Sequence, residues 1–183
     1  LFRFILGDEA DARFYRDVHR LIHYDQLTGL MEMDSFRSQL DEAIGRSRPN
    51  GRLALAMTDL DGLKRVNDTY GHLAGRMVVR EMGVMMREAL RPNDVPALYG
   101  GDEAIIFFPE TSIEEAREVL EGLRRAIETR VFEYEDKPFH VSISQGLAEW
   151  PRHGQTAEQL IAAADQALYA AKAAGRNCIR CAG

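Results

Sequence analysis

The chain has 183 residues, 45% hydrophobic and 28% charged, with 23 Lys and Arg against 29 Asp and Glu for a formal net charge of −6. Such a composition suits one globular domain with an ordinary core and excludes a disordered, collagen-like or fibrous chain. The acidic excess argues against a surface built to grip a nucleic acid polymer, and no apolar run approaches the ~20 residues that span a bilayer.

The chain opens at Leu1 with neither a Met nor a basic-then-apolar leader, so it reads as a piece of something longer. Phe2 to Leu6 alternates apolar and basic residues before Gly7 and Asp8, the pattern of a strand ending in a turn. Ala10 to Tyr24 then carries Phe14, Val18, Leu21 and Ile22 at helical spacing, which predicts an amphipathic helix. The two together read either as the tail of an upstream sensor with its connecting rod or as the first elements of the same domain. A second helix is predicted from Asp34, as its cap, to Gly45, followed by a loop from Arg46 to Gly51. Leu53 to Leu60 is apolar on both faces until it meets acid, as in a buried central strand. Leu73 to Leu90 sets Val78, Met82, Met85, Met86 and Ala89 on one helical face, with Pro92 as the stop, and the methionines read as core packing.

Val95 to Tyr99 and Ala104 to Phe108 are two apolar runs around Gly100-Gly101-Asp102-Glu103, a hairpin signal. Ser112-x-x-Glu115 is a capping box opening a helix to about Glu128. Val131 to Tyr134 and Phe139 to Leu147 predict another strand pair. Thr156-x-x-Gln159 caps a last helix with Leu160, Ala164, Ala167, Leu168 and Ala171 on one face and Gly175 at its end, and Arg176 to Arg180 is a final short strand. Cys178 and Cys181 form one C-x-x-C with no second pair of metal-ligand spacing, so they read as incidental thiols of a cytoplasmic protein and are given no role. The order of elements is a split βαβ arrangement elaborated at its end, with helices covering an antiparallel sheet: an α+β fold.

Two places can carry chemistry. A buried strand delivers Asp59 and Asp61 to one side of its C-terminal end, where they repel one another unless a cation neutralises them. A calcium loop is excluded, because Leu63 stands where an oxygen ligand is needed. The second place is the tip Gly100-Gly101-Asp102-Glu103. Its glycines let the backbone turn tightly and let a ligand approach the main chain, and its acids stand beside the end of the Asp59 strand. Hard carboxylate oxygens from adjacent strand ends suit a magnesium site completed by phosphates. Taken alone, each is also an ordinary solvated turn.

Tyr99-Gly100-Gly101-Asp102-Glu103-Ala104 resembles the signature of the GGDEF family of diguanylate cyclases, with Ala104 in place of the family's Phe. The resemblance extends through Asp25 to Leu30 (DQLTGL), Asp59-Leu60-Asp61, Asn67 to His72 (NDTYGH), Val141 to Gly146, Ala164 to Tyr169 and Lys172 to Asn177, covering about residues 23 to 180. It implies a palm-like βαββαβ-type core with a mainly antiparallel central sheet flanked by helices, as in nucleotide cyclases. It also implies an activity: two domains, each holding one GTP, face each other as a homodimer and form cyclic di-GMP and two pyrophosphates. Carried over by residue, Asp59, Asp102 and the Leu60 carbonyl would bind Mg²⁺ (or Mn²⁺). Asp102 would assist deprotonation of the attacking hydroxyl, and Glu103 would support the metal cluster. Lys172 and Arg176 would hold the triphosphate, with Lys64 a further phosphate candidate and Gly100 and Gly101 admitting the nucleotide. Asn67 would read the guanine edge, with His72 nearby. Arg91-Pro92-Asn93-Asp94 matches the family's R-x-x-D product-inhibition site, where Arg91 and Asp94 would hold cyclic di-GMP. Without that context, Lys172 and Arg176 read as helix C-terminal charge and R-x-x-D as a helix-ending turn. The resemblance divides the chain into residues 1–22, an upstream strand and signalling helix, and residues 23–183, the GGDEF domain. The lead-in also looks similar to the junction from a forkhead-associated domain.

Arg76 stands where the family usually has an acid that accepts hydrogen bonds from guanine, and arginine has no acceptor. Leu98 replaces the Arg that commonly precedes the Tyr, and Met31-Glu32-Met33 replaces the usual Asn-Arg neighbourhood. Three readings follow: an active GTP-dependent cyclase, a catalytically weak cyclic di-GMP receptor, and a cyclase of altered base preference giving a mixed GMP–AMP product.

Overall fold

The computed structural model describes residues 9–46 and 51–183, so the strand expected at Phe2 to Leu6 lies outside the described residues, as does most of the loop before Gly51. Helix α1 (Glu9–His23) leads in, and α2 (Met33–Arg46) follows a tight turn. Asp34 sits inside the first turn of α2 rather than capping it. Its carboxylate there still complements the helix dipole.

Strand β1 (Leu53–Asp61) is buried along its whole length. It is followed by α3 (Leu63–Tyr70), α4 (His72–Ala89), the hairpin β2 (Val95–Gly100) and β3 (Glu103–Pro109), and α5 (Ile113–Thr129). The remaining elements are β4 (Phe132–Tyr134), β5 (Lys137–Phe139), β6 (Ser142–Trp150), α6 (Ala157–Ala173) and β7 (Ile179–Cys181). The main sheet runs β2-β3-β1-β6-β7, and β1 pairs antiparallel with both neighbours. Only β7 runs parallel, along β6. The expected antiparallel-dominated sheet under helices is therefore present.

The two-residue period of β1 divides the core into two layers. Ala54, Ala56 and Leu60 pack with residues of α4 and α5, including Val78, Met82, Met86, Leu120 and Leu123. Leu53, Leu55 and Met57 pack with α2 and α6 through Phe36, Leu40, Leu160, Ala164 and Leu168. The methionines of α4 are core, as expected, whereas Ala89 is exposed. On α1 the apolar face is not buried on the domain: Phe14, Leu21 and Ile22 are all more than 60% exposed.

One element is new and two expectations are corrected. The segment after Asp61, unassigned from sequence, forms α3, whose Leu63, Val66 and Tyr70 follow an i, i+3, i+7 pattern that packs on the core. The strand predicted from Phe139 is broken at His140 and Val141. β4 therefore closes a small hairpin with β5, Phe132 opposite Phe139, while β6 joins the main sheet. Finally, the last strand begins at Ile179, not Arg176. Arg176 and Asn177 have φ of 66° and 48°, a left-handed backbone that no strand accommodates. Both capping positions hold: Ser112 and Glu115 form the full box, and the Thr156 side chain accepts from the Gln159 N–H.

Candidate functional site

Strand β1 crosses the core and releases its acids where the β2–β3 hairpin turns. Asp59 pairs with Glu103 on one side and with Ser144 of β6 on the other. The Leu60 N–H donates to the Asp102 carbonyl at 3.3 Å. In an antiparallel strand the N–H and C=O of one residue point the same way, so the Leu60 carbonyl also faces the hairpin. The register shifts between Leu98 and Gly100, and Gly101 has φ +56°. This bulge and turn leave open space around both glycines, where an added Cβ would meet nothing within 4 Å.

A cavity of about 640 Å³ opens over this end of the sheet. Of the residues singled out by sequence, Asp59, Leu60, Asp61, Lys64, Asp102, Lys172 and Arg176 line it, together with His140, which sequence reasoning missed. Lys172 reaches from the last turn of α6 and donates from Nζ to Asp59 Oδ2 at 2.7 Å, with Glu103 Oε1 at 4.0 Å. Arg176 is not brought there by helical spacing: α6 ends at Ala173, and Arg176 lies in the left-handed turn beyond it.

Burial pushes the Asp59 carboxyl above its ordinary value. The Lys172 hydrogen bond opposes that shift, and the Asp102 and Asp61 charges add to it. Glu103 is raised in the same way, first by burial and then by the Asp59 charge. Carboxylates gathered under one ammonium are a cluster short of positive charge. All their donor atoms are hard oxygens, the set that suits Mg²⁺ or Mn²⁺ and not a soft metal. Among the described residues no three carboxylate, imidazole or thiol side chains already converge as a metal shell. The Lys172 ammonium supplies the local counter-charge.

Asp61 is used differently. It accepts from Ser142 Oγ at 2.8 Å, Ser144 Oγ at 2.7 Å and the Asn177 N–H at 3.0 Å. The partners Ser142, Ser144 and Asn177 lie in stretches that carry the resemblance, yet the sequence has no signal that they converge on Asp61.

Asn67, His72 and Arg76 lie outside the cavity, around the α3–α4 corner. Asn67 Oδ1 lies against Gly75, where any Cβ would collide with it, so Gly75 lets the two helices close on the asparagine. His72 and Arg76, four residues apart on α4, are exposed, and Arg76 makes no ion pair among the described residues. Arg91 and Asp94 form a closed unit: the Asp94 carboxylate is buried and accepts from the Arg91 N–H at 2.9 Å and from its guanidinium at 3.2 Å, while Arg91 Nη2 also donates to Thr111. Two departures from the family signature, Leu98 and Ala104, are cross-strand partners, with Thr58 and Gln145 continuing the row. A larger residue thus faces a smaller one, and the Gln145 amide, fully buried, donates to Thr58 Oγ1 at 3.4 Å.

Among the described residues no helix is long and apolar enough to cross a membrane. A family profile described as "Diguanylate cyclase, GGDEF domain" matches residues 22–178. The chain is 38% identical over 174 residues to the diguanylate cyclase DgcP of Pseudomonas aeruginosa, spanning 92% of this chain and 26% of that protein. It is 34% identical over 158 residues to the response regulator PleD of Caulobacter vibrioides, spanning 85% and 35% respectively. The chain thus spans between a quarter and about a third of the length of these two relatives. Among solved structures, the coiled coil and GGDEF domain of DgcB from Caulobacter crescentus, in complex with c-di-GMP, superposes with a TM-score of 0.85 at 28% identity, over 95% of this chain and 93% of that one.

Proposed function

Because the chain belongs to the GGDEF family of diguanylate cyclases, we propose that it condenses two molecules of GTP into cyclic di-GMP and two pyrophosphates, each of two facing copies holding one nucleotide. The observation that carries this reading is the meeting of Asp59, Asp102 and Glu103 with Lys172 and Arg176 at one end of the sheet, around a cavity wide enough for a triphosphate. Asp59, Asp102 and the Leu60 carbonyl would hold Mg²⁺ or Mn²⁺, with Glu103 in support. When bound, that ion neutralises phosphate oxygens and lowers the pKa of the attacking 3′-hydroxyl.

The chain's own groups do the rest. Lys172, which holds the Asp59 carboxylate from the end of α6, would bind the triphosphate together with Arg176 from the following turn, with Lys64 at the rim. Gly100 and Gly101 admit the nucleotide to the backbone. Asp102 accepts the proton from the 3′-hydroxyl. Asn67 reads the guanine edge beside His72. The Arg91 side chain, half exposed and oriented by Asp94, is the feedback contact for cyclic di-GMP, its planar guanidinium offered to a guanine or phosphate. Residues 23–183 form the catalytic domain, and residues 1–22 end an upstream segment that controls pairing of the copies.

Arg76 is the observation that favours a second reading. An exposed guanidinium in place of an acceptor cannot take the guanine N1 and N2 donors, which weakens GTP use and leaves a cyclic di-GMP receptor or a cyclase of altered base preference as alternatives. Incubation with Mg²⁺ and GTP, ATP or both, followed by product separation, distinguishes the three. Cyclic di-GMP from GTP is the expected result. No cyclic dinucleotide from a demonstrably dimeric sample, with tight cyclic di-GMP binding that Arg91→Ala abolishes, overturns the cyclase reading. Arg76→Asp is expected to raise kcat/KM for GTP by roughly tenfold or more; an unchanged value removes Arg76 from the account of base recognition.

A further inference from the structure

The loop after α6 holds three successive residues in the left-handed region: Gly175 (φ 111°), Arg176 (66°) and Asn177 (48°). Glycine and asparagine tolerate this backbone, but arginine does not adopt it unaided, so surrounding contacts must hold it. Those contacts are unusually complete. The Asn177 N–H donates to the buried Asp61 carboxylate at 3.0 Å, and Asp61 is itself braced by Ser142 and Ser144. The Asn177 side chain reaches the other way, to α5: its Oδ1 accepts from Arg124 Nη1 at 2.6 Å and its Nδ2 donates to Glu128 Oε1 at 2.6 Å. The acceptor faces the cation and the donor faces the carboxylate. Arg124 is only 12% exposed and is fixed by two 2.9 Å hydrogen bonds to Glu121 and one of 2.8 Å to Glu128. One residue along, Arg176 lines the cavity with its Nε 4.0 Å from Asp61.

We infer that Asn177 is a positioning residue for the triphosphate: tethered to Asp61 on β1 and to Arg124 and Glu128 on α5, it locks the left-handed turn that aims Arg176 into the cavity. This rests on the phosphate-binding role proposed for Arg176. Among the described residues the Arg176 guanidinium has no other rigid support, since it is exposed and approaches Asp61 only at the limit of an ion pair. Freeing the turn lets the guanidinium wander while leaving the carboxylates of Asp59, Asp102 and Glu103 where they are.

The test uses the full 183-residue chain, with GTP turnover in Mg²⁺ and calorimetric binding of inorganic tripolyphosphate. Asn177→Gly accepts the same backbone and keeps the N–H to Asp61 but deletes the α5 tether. It is expected to raise KM for GTP, and weaken tripolyphosphate, by about tenfold, with kcat changed less than about twofold. In an Arg176→Ala background the same substitution is expected to change neither quantity further, which a merely structural role would not produce. Glu128→Gln, on the exposed end of the tether, is the second variant should Asn177→Gly fold poorly, and is expected to shift both quantities a few-fold in the same direction. Unchanged KM and tripolyphosphate affinity, or effects that add fully to those of Arg176→Ala, overturn the inference. A wild-type chain that makes no cyclic dinucleotide defeats the cyclase reading alone, and tripolyphosphate binding then still decides whether Asn177 positions Arg176.

Discussion

Asp59 and Asp61 leave one strand on one face, two residues apart and nearly equally buried at 9% and 8% exposure, and their surroundings treat them in opposite ways. On the β6 side, two serine hydroxyls and a main-chain N–H converge on Asp61, filling its acceptor sites with neutral donors. On the β3 side, Asp59 receives one lysine and is otherwise faced by other carboxylates. Satisfied charge is structure, whereas charge left short of partners is capacity to bind. The boundary between scaffold and the proposed reactive centre runs between two alternate residues of a single strand.

Substitutions at the two positions should therefore separate cleanly. Asp59→Asn is expected to lower cyclic dinucleotide formation by about a thousandfold or more. Because the Asp59 carboxyl is raised by folding, its ionised form opposes the fold as pH rises, so the same variant should keep or increase its melting temperature. A thousandfold loss accompanied by collapse of the fold would erase the distinction. Asp61→Asn is the converse. It takes the charge from three hydrogen bonds at a buried carboxylate and is expected to cost about 2–4 kcal/mol in denaturant unfolding; a stable Asp61→Asn protein would show that those contacts carry little.

A third measurement addresses the metal directly. Mg²⁺ at a hundred times its dissociation constant should stabilise the wild type by about 2.7 kcal/mol. Asp61→Asn should retain that gain and Asp59→Asn should lose it. Equal gains in both variants would put the ion elsewhere. The smallest effect concerns the anchor of the Asp61 side. The Arg124 and Arg125 guanidiniums hold the Glu121 carboxyl at about 2, well below its ordinary 4.5. With its folded value depressed, Glu121 contributes stability that is fully present above pH 4.5 and fades as the pH falls toward about 2. Glu121 is about one-third exposed, so solvent screening keeps this under about 1 kcal/mol. Glu121→Gln should flatten that part of the acid limb in unfolding measured at pH 6, 4 and 3.

The legible part of this fold was what local physics writes into adjacent residues. The Ser112–Glu115 box, the hairpin glycines and the wholly buried β1 were readable because a cap, a turn and a buried strand are each decided within a few positions. α3 was missed because it is short and its Leu63, Val66 and Tyr70 are set among five polar residues. The β4–β5 hairpin was missed because Phe139 starts an apolar–polar alternation that continues through Val141 and Ile143 into β6. At the site, Asp59, Asp102 and Lys172 were foreseen through resemblance. The fate of Asp61 was not, since its partners are 81, 83 and 116 residues away and nothing local announces them. Arg91 and Asp94 were legible as an R-x-x-D spacing, but their pairing with each other, and the Thr111 hydroxyl that also accepts from Arg91, were not.

The central place of β1 has a consequence in time as well as in space. Its partners emerge late: Asp59 meets Glu103 on one edge and Ser144 on the other. A growing chain therefore carries the nine residues of β1 with both strand edges open until β3 has emerged and one edge open until β6 is complete. Pairings of such sequence separation are slow to close. The cavity has no floor before β1 is paired and no clamp before Lys172 and Arg176 have followed. Nascent chains of this kind are thus expected to depend on protection from self-association until β6 is in place.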